Sequence, residues 1–239
     1  MTRREFALAG AFSCAALALG LSACSPSGTG AASRTCVVVC LDDMDDAYAA
    51  GVHVAVDRNY FGANGIDVEL VSPQDGADAV DAVDAGDACF CLSSQGRLAR
   101  AFGVPEPACV IAVAALGSAS ARKGYEHLVV GNDAYLVHHP DESRSFIDAL
   151  RRAYVYLAQH PASAAKIAVN ARPGMDGKAV QRAGRALAAS SGADLSSWGS
   201  IEQEEWDSCF SRAAAAKRVE CEIPAHHGYI LDYLKDAKK

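Results

Sequence analysis

Four aspartates follow an apolar run, residues 36–41, that is rich in valine and cysteine. They are Asp42, Asp43, Asp45 and Asp46. Carboxylates at this density either cap helices and turns, or form a site for a ligand that is cationic or rich in hydrogen-bond donors. Such a site would repel nitrate or a sulfonate, because like unit charges about 4 Å apart cost roughly 1–4 kcal/mol. Both interpretations of this acidic loop are open at this point.

A second polar group follows another short apolar run, residues 88–92. Ser93 and Ser94 can donate hydroxyl groups, and a helix that begins at Gln95 would add free backbone amides at its N-terminus. Groups of this kind can hold a small molecule through hydrogen bonds, without catalytic residues and without a cofactor.

Cysteine is frequent, with nine in the chain. Cys36 and Cys40 lie in one extended run, and their separation of roughly 13 Å, at about 3.3 Å per residue, excludes a disulfide between them. Cys89 and Cys91 share one face of a second run, where we expect small buried apolar side chains. A metal site would need Cys and His in recognisable clusters, and these positions have no such neighbours in sequence, so we expect no metal.

The N-terminus has the pattern of an export signal. Arg3 and Arg4 precede an apolar run, residues 6–21, that is too short for a confident membrane-spanning helix but fits a signal-peptide core. The run ends in Leu21-Ser22-Ala23-Cys24. This motif resembles the lipobox of bacterial lipoproteins, in which the cysteine is acylated. The resemblance implies a membrane-anchored, extracytoplasmic protein with lipid on Cys24; the alternative is a secretory peptide with a chance cysteine.

The expected layout is a signal peptide over 1–23, a lipidated flexible tether over 24–35 and one domain over 36–239. Residues 2–6 also resemble the twin-arginine export signal, so two export routes are open. The chain carries 22 basic and 29 acidic side chains, a net charge of −7, and this acidity argues against nucleic acid as a partner. Export permits oxidation, and Cys209 with Cys221 is then the most plausible disulfide.

Apolar periodicity predicts alternating strands and helices, followed by a helical C-terminal part. Strands are expected over 36–41, 66–71, 88–92, 109–115 and 126–130. Helices are expected from Asp45 or Asp46 to Phe61 and over 76–85, 95–102, 140–159, 161–170, 177–190, 202–217 and 224–235. Alternating strands and helices pair in parallel through right-handed crossovers. The fold class is therefore α/β with a mostly parallel sheet.

Several short segments, in order along the domain, carry a family resemblance. Residues 59–61 are Asn-Tyr-Phe, residues 65–70 are Gly-Ile-Asp-Val-Glu-Leu, residues 85–88 are Ala-Gly-Asp-Ala, and residues 103–105 are Gly-Val-Pro. Later matches are at residues 146–150, 156–165, 198–201 and 206. Together these segments resemble the solute-binding proteins of ABC importers for thiamine-pyrimidine precursors, sulfonates and nitrate, although Asn59 stands where that family usually has glycine. We expect Trp198 and Trp206 to be core residues.

The resemblance implies a periplasmic-binding-protein-like lobe in which a solute is held at the carboxyl ends of parallel strands. It places these ligand-binding residues at that edge: Asp42, Asp43, Asp45, Asp46, Ser93, Ser94 and Gln95. The implied function is binding of a small, donor-rich solute, similar to a pyrimidine or a thiamine precursor, and its delivery to an ABC permease. No catalysis is expected.

The chain departs from that family in one respect. Relatives place a second lobe of about a hundred residues between the fourth strand and the return strand, whereas this sequence offers only residues 116–123. We therefore expect a protein with one lobe, in which most of the second lobe is missing. Two alternatives follow: an interaction protein that binds no solute, and an enzyme similar to the pyrimidine synthases of the same superfamily. The enzyme would need a reactive lysine and iron ligands, for which Lys123, Cys89 and Cys91 are the candidates.

Overall fold

A computed structural model describes residues 34–74, 76–191 and 195–234. These residues belong to one compact unit, Arg34–Lys239. The expected signal peptide, the lipidation site Cys24 and nearly all of the expected tether lie outside the described residues. The first strand begins at Thr35, one residue before the expected start of the domain.

One five-stranded sheet forms the centre of the described unit. Its strands are β1 Thr35–Leu41, β2 Ile66–Val71, β3 Phe90–Ser93, β4 Val110–Ala115 and β5 Leu128–Asn132, in the order β2-β1-β3-β5-β4. β1 is parallel to β2 and β3, whereas β5 is antiparallel to β3 and to β4. Four strands therefore run in one direction, and the expected mostly parallel α/β sheet is confirmed. Antiparallel pairing of β5 requires no crossover helix, and the connection from β4, residues 116–127, consists of bends and turns.

Nine helices surround the sheet in the described part of the chain. They are α1 Ala50–Asp57, α2 Tyr60–Ala63, α3 Ala79–Asp84, α4 Gln95–Phe102, α5 Asp133–His138, α6 Pro140–Gln159, α7 Pro161–Ala171, α8 Gly177–Ser191 and α9 Gln203–Ala215. Proline occupies the first position of α6 and α7, where its missing N–H leaves no hydrogen bond unmade and its fixed φ suits the helix. The expected α4 and α6 have the bounds that periodicity predicted.

The expected first helix is wrong at its start and in its middle. It begins at Ala50 and not at the aspartates, and Ala49 at its N-cap makes no side-chain cap bond. It breaks at Asn59, whose φ of 53° is left-handed and separates α1 from α2. An asparagine tolerates this conformation better than most residues because its short polar side chain can bond locally.

The helix expected over 224–235 is also wrong. Among its described residues, 224–231 contain turns and an isolated bridge, and 232–234 form a short 3₁₀ turn. The backbone of this segment bonds to β4 instead: Ala112 N–H donates to the carbonyl of Gly228, and Ile230 N–H donates to the carbonyl of Ala112. Gly228, with a φ of 85°, permits the turn that brings the chain alongside. This pairing covers part of the edge strand β4.

Two apolar cores lie on opposite faces of the sheet. Along β1, Val37, Val39 and Leu41 belong to the first core while Cys40 belongs to the second, as side chains alternate along a strand. α1, α6, α7 and α8 contribute to the first core, and α3, α4 and α9 contribute to the second. Trp198 is buried in the first and Trp206 in the second. Their expected role as core residues is confirmed.

Cys209 and Cys221 are both free thiols, so the expected Cys209–Cys221 disulfide is wrong. Different segments hold the two residues. Cys209, in α9, directs its thiol to the carbonyl oxygen of Lys123 at 3.6 Å, whereas Cys221 N–H donates to the carbonyl of Gly103 after α4. Cys91 is fully buried in β3, and burial raises the pKa of its thiol, as expected of a small apolar core residue.

The contact between α1 and α6 gives a first prediction. Gly51 packs against Tyr154, whose hydroxyl donates to the carbonyl of Tyr48 at 2.5 Å. A Cβ at position 51 would overlap the Tyr154 ring. We expect Gly51→Ala to lower the free energy of unfolding by about 1–3 kcal/mol through overpacking, although alanine favours helix by about 1 kcal/mol. Urea unfolding measures the change.

A matched control is available in α4. A Cβ on Gly96 would have as its nearest neighbour the hydroxyl of Ser94 at 3.9 Å. Gly96→Ala should therefore leave stability unchanged or raise it by about 0.5–1 kcal/mol. Equal stability changes in the two variants would contradict tight packing at Gly51.

Candidate functional site

A cavity of about 220 Å³ opens where β1 and β3 end. The connection that leaves β1 runs to β2 on one side, whereas the connection that leaves β3 runs to β4 on the other side, so the two connections diverge at this point. Open α/β sheets bind ligands in the crevice that such a divergence creates. The lining residues are Leu41, Asp42, Asp43, Asp46, Ala49, Leu92, Ser93, Ser94, Arg97, Glu126 and His127.

Asp42 takes part in a charged network at one wall of the cavity. One of its carboxylate oxygens accepts a hydrogen bond from Ala79 N–H, at 2.7 Å, in the first turn of α3. The other Asp42 carboxylate oxygen lies 3.4 Å from one guanidinium nitrogen of Arg97. A second nitrogen of the same guanidinium pairs with Asp78 at 2.5 Å. Asp78 is in turn the N-cap of α3, in a capping box with Asp81. The network joins β1, α3 and α4 and offsets part of the acidic charge.

Asp43 and Asp46 line the cavity while each stabilises the loop locally. One oxygen of Asp43 accepts from Asp45 N–H at 2.8 Å, and one oxygen of Asp46 accepts from Tyr48 N–H at 2.7 Å. These are Asx turns, in which the side-chain Oδ1 accepts a hydrogen bond from the backbone N–H two residues further along the chain. Capping and a place in the cavity are therefore compatible for both residues.

Asp45 is directed away from the cavity. Its carboxylate pairs with Arg172, at 2.9 Å, just after α7. This ion pair ties the acidic loop to the helical C-terminal part. Of the four aspartates expected at the site, the structure thus brings three together and assigns the fourth to loop anchoring.

The two serines have different environments. Ser94 is the N-cap of α4, where its hydroxyl accepts from Arg97 N–H at 3.4 Å. Ser93 is 8% exposed, and its hydroxyl has no hydrogen-bond partner among the described residues. A buried hydroxyl without a partner loses about 1–3 kcal/mol of favourable solvation, so the Ser93 hydroxyl is suited to bonding a ligand in the cavity that it lines.

Gln95 does not line the cavity. It is fully buried, its amide nitrogen donates to the carbonyl of Trp206 at 2.8 Å, and its amide oxygen accepts from Tyr125 N–H at 3.2 Å. Gln95 therefore holds the segment before β5 and the helix α9 in place. Its expected contact with a ligand is not supported by this position.

Three polar lining residues were missed from the sequence. Arg97 lies in the first turn of α4. Because it is three residues after Ser94 in a predicted helix, the sequence could have placed it near the same site. Glu126 and His127 reach the site because β5 inserts next to β3, for which the sequence gives no local signal. His127 stacks on Tyr48, with ring centroids 3.5 Å apart.

The candidate residues of a pyrimidine-synthase-like enzyme, Lys123, Cys89 and Cys91, lie within the described residues. Lys123 is exposed and pairs with Glu126 at 2.7 Å. No group of three or more His, Cys, Asp or Glu within the described ranges is arranged to hold a metal ion. Within the same ranges, no helix is both long and apolar enough to cross a membrane.

Several solved structures with a similar fold are described as binding proteins. The alkanesulfonate-binding protein SsuA from Xanthomonas axonopodis pv. citri, bound to MOPS, has a TM-score of 0.60 and 8% identity over 84% of this chain and 100% of that chain. The periplasmic nitrate-binding protein NrtA from Synechocystis PCC 6803 has a TM-score of 0.61 and 8% identity over 85% of this chain and 88% of that chain. The ligand-binding component of an ABC-type import system from Staphylococcus aureus, with zinc bound, has a TM-score of 0.60 and 8% identity over 85% of this chain and 99% of that chain. At these identities the structures show the fold, which is that of periplasmic binding proteins.

The family comparison narrows the class. The family model described as "NMT1/THI5 like" matches residues 46–122 and 109–164, from the acidic loop to the first turn of α7. No curated protein sequence matches the chain significantly. Over residues 46–164 the chain is therefore similar to NMT1/THI5-like proteins, it has the fold of periplasmic binding proteins, and the resemblance seen in the sequence is confirmed.

Stability should depend on pH through His127. Burial lowers the pKa of this imidazole, against the opposing effect of Asp46 and Glu126. A histidine with a lowered pKa in the folded state binds fewer protons there than in the unfolded chain, whose histidine pKa is about 6.5. We therefore expect the free energy of unfolding to fall as the pH drops from about 7.5 to 5.5. Urea unfolding at both values measures it.

The contribution of His127 can be isolated with two variants. His127→Gln should lose less stability than the parent protein over this pH range. His138→Gln, which changes an exposed histidine at the end of α5, should keep the decline of the parent. Burial of His53 also lowers its pKa, so part of the decline should persist in His127→Gln. Identical pH profiles for His127→Gln and the parent would contradict this assignment.

Proposed function

We propose that this protein is the solute-binding component of an ABC importer and that it holds a small solute in the cavity where β1 and β3 end. The observation that carries the proposal is the buried Ser93 hydroxyl, which lacks a partner among the described residues and lines that cavity. The names of the similar structures describe binding proteins or a component of an import system. The match to the NMT1/THI5-like family model supports the same class, solute-binding proteins.

The charge of the cavity favours a donor-rich or cationic solute. Asp42, Asp43, Asp46 and Glu126 line it, against the single guanidinium of Arg97. Carboxylate oxygens accept hydrogen bonds from amino groups, and they repel an anion by roughly 1–4 kcal/mol for each charge about 4 Å away. An aminopyrimidine, similar to a thiamine precursor, fits this chemistry. The cavity is smaller than the 300–1,000 Å³ typical of pockets for drug-sized ligands, which suits a single ring.

Delivery to a permease would take place outside the cytoplasm. We propose that lipid on Cys24 anchors the protein to the membrane and that residues 24–35 act as the tether. An anchored binding protein stays close to the permease, which raises the effective concentration of loaded protein at the transporter.

A second candidate function is an interaction protein that binds no solute. The short connection over residues 116–127 favours it, because the described unit has one lobe and covers a solute from one side. Affinity falls when a ligand keeps much of its surface in water. Solute titration separates the two candidates.

Ser93 provides the first test of solute binding. In calorimetric titrations with 4-amino-5-hydroxymethyl-2-methylpyrimidine, Ser93→Ala should weaken binding about fivefold by removing one hydrogen bond of about 1 kcal/mol. The same change should leave the free energy of unfolding unchanged or raise it, because the hydroxyl has no partner among the described residues. A purely structural serine would behave in the opposite way.

Two controls match these changes. Ser143→Ala removes a buried hydroxyl that donates to the carbonyl of His139 at 2.7 Å, so it should reduce stability and leave binding intact. For charge, Asp43→Asn should weaken binding on the order of tenfold, whereas Asp67→Asn, at an exposed ion pair with Arg34, should have no effect. If the aminopyrimidine does not bind to the parent protein, the donor-rich solute is excluded; if nitrate or an alkanesulfonate binds instead, the acidic loop is only a cap.

The anchor is tested separately. Cys24→Ala should move the protein from the membrane fraction to the soluble fraction and abolish incorporation of labelled fatty acid, because stable attachment needs the acyl chains. Cys36→Ala, a change beyond the proposed tether, should leave both unchanged. Continued membrane binding and labelling of Cys24→Ala would exclude the lipoprotein assignment.

A further inference from the structure

A second and larger cavity, of about 830 Å³, lies between α4, α9 and residues 122–127. It shares Ser94, Glu126 and His127 with the proposed solute cavity. Its volume is in the range of pockets that bind small organic molecules. The basic side chains that line it are Arg100, Arg122, Lys123, Arg212 and Arg218. We call it the basic cavity.

The basic charge of this cavity is largely uncompensated. Glu126 is its one lining carboxylate, and it pairs with Lys123 at 2.7 Å. Within the described ranges no ion pair joins the four lining arginines to a carboxylate; the bonds of two of them go to neutral groups, from Arg100 to the carbonyl of Gly96 and from Arg212 to the hydroxyl of Ser208. The chain as a whole has a net charge of −7, so this concentration of cations is local.

Like charges around one concave surface raise each other's energy and focus a positive potential into it. An anion in the cavity would relieve that repulsion. Guanidinium groups suit phosphate in particular, because their paired N–H donors match two phosphate oxygens at once. A sulfonate or nitrate carries a single charge and would offset a smaller part of the excess than a phosphomonoester, which carries close to two.

Part of the lining is apolar. Ala99 comes from α4, and Cys209, Ala213 and Ala216 come from α9 and its end. Small side chains of this kind leave room for the carbon skeleton of a ligand and exclude water from it. The chemistry of the lining therefore matches an organic phosphate with an apolar or ring portion better than inorganic phosphate.

We propose that the basic cavity is a binding site for a small organic phosphate, separate from the solute cavity at the ends of β1 and β3. Its arginines would bind the phosphate oxygens, and the alanine surface of α4 and α9 would contact the carbon skeleton. The proposal does not rest on the identity of the solute, because the two cavities present opposite charge and are lined by different side chains beyond their common wall.

Three probes with the same ring test the ligand class by calorimetry on the full-length protein: phenyl phosphate, benzenesulfonate and benzyl alcohol. We expect phenyl phosphate to bind at least tenfold more tightly than benzenesulfonate, with benzyl alcohol weaker than both. The affinity for phenyl phosphate should fall as NaCl rises, because exposed charges are screened. Equal affinities for phosphate and sulfonate, or no binding of phenyl phosphate, would overturn the proposal.

Variants locate the site. Arg212→Gln and Arg218→Gln should each weaken phenyl phosphate binding on the order of tenfold, the expected loss of one charge-assisted hydrogen bond. Both residues are exposed, so folding should be preserved, which circular dichroism checks. Arg185→Gln, the same change on an exposed face of α8, should have no effect. If Arg212→Gln and Arg218→Gln both bind as the parent does, the basic cavity is not the site.

Asp43→Asn separates this proposal from the function proposed above. It should weaken the aminopyrimidine and leave phenyl phosphate unchanged, because Asp43 lines only the solute cavity. Failure of the aminopyrimidine to bind any variant would leave the phosphate result standing. Loss of phenyl phosphate binding in Asp43→Asn would show a single joint site and overturn the separation of the two cavities.

Discussion

β5 lies between β3 and β4 and runs antiparallel to both, because the chain returns to the sheet through residues 116–127 without a crossover helix. This pairing carries Glu126 and His127 to the edge where β1 and β3 end. Gln95 fixes the same segment, since its buried amide bonds both Tyr125 and the carbonyl of Trp206. One strand insertion and one buried amide thus set the common wall of both cavities.

The two cavities differ in charge across this wall. Asp42, Asp43 and Asp46 face one side, whereas arginines from α4, α9 and the segment before β5 face the other. Glu126 belongs to both and is paired with Lys123. Opposite charges in adjacent cavities would let each of the two proposed sites select its own ligand, both by attracting it and by repelling the ligand of the other site.

The described chain forms one lobe, so a bound molecule contacts the sheet edge on one side. In such a site, affinity depends on a few strong polar contacts more than on enclosed area. The unpartnered Ser93 hydroxyl and the carboxylates of the acidic loop would supply contacts of that kind to the proposed solute. The Asp42–Arg97–Asp78 network links the start of the loop to α3 and α4. Such a link would reduce the entropy lost when the proposed solute binds.

The sequence by itself determined the α/β class, the five strands and the long helices, because buried β-branched runs, helical periodicity and proline at helix starts act over a few residues. It also placed the acidic loop and Ser93 at one edge, since parallel strands end together. Only the tertiary structure decided that Asp45 pairs with Arg172 outside the cavity and that the Gln95 amide donates to the carbonyl of Trp206. It also decided that residues 224–234 do not form a helix and that part of this segment pairs with β4. Those outcomes depend on contacts between residues far apart in the chain, whose energies exceed local preference and leave no trace in local spacing.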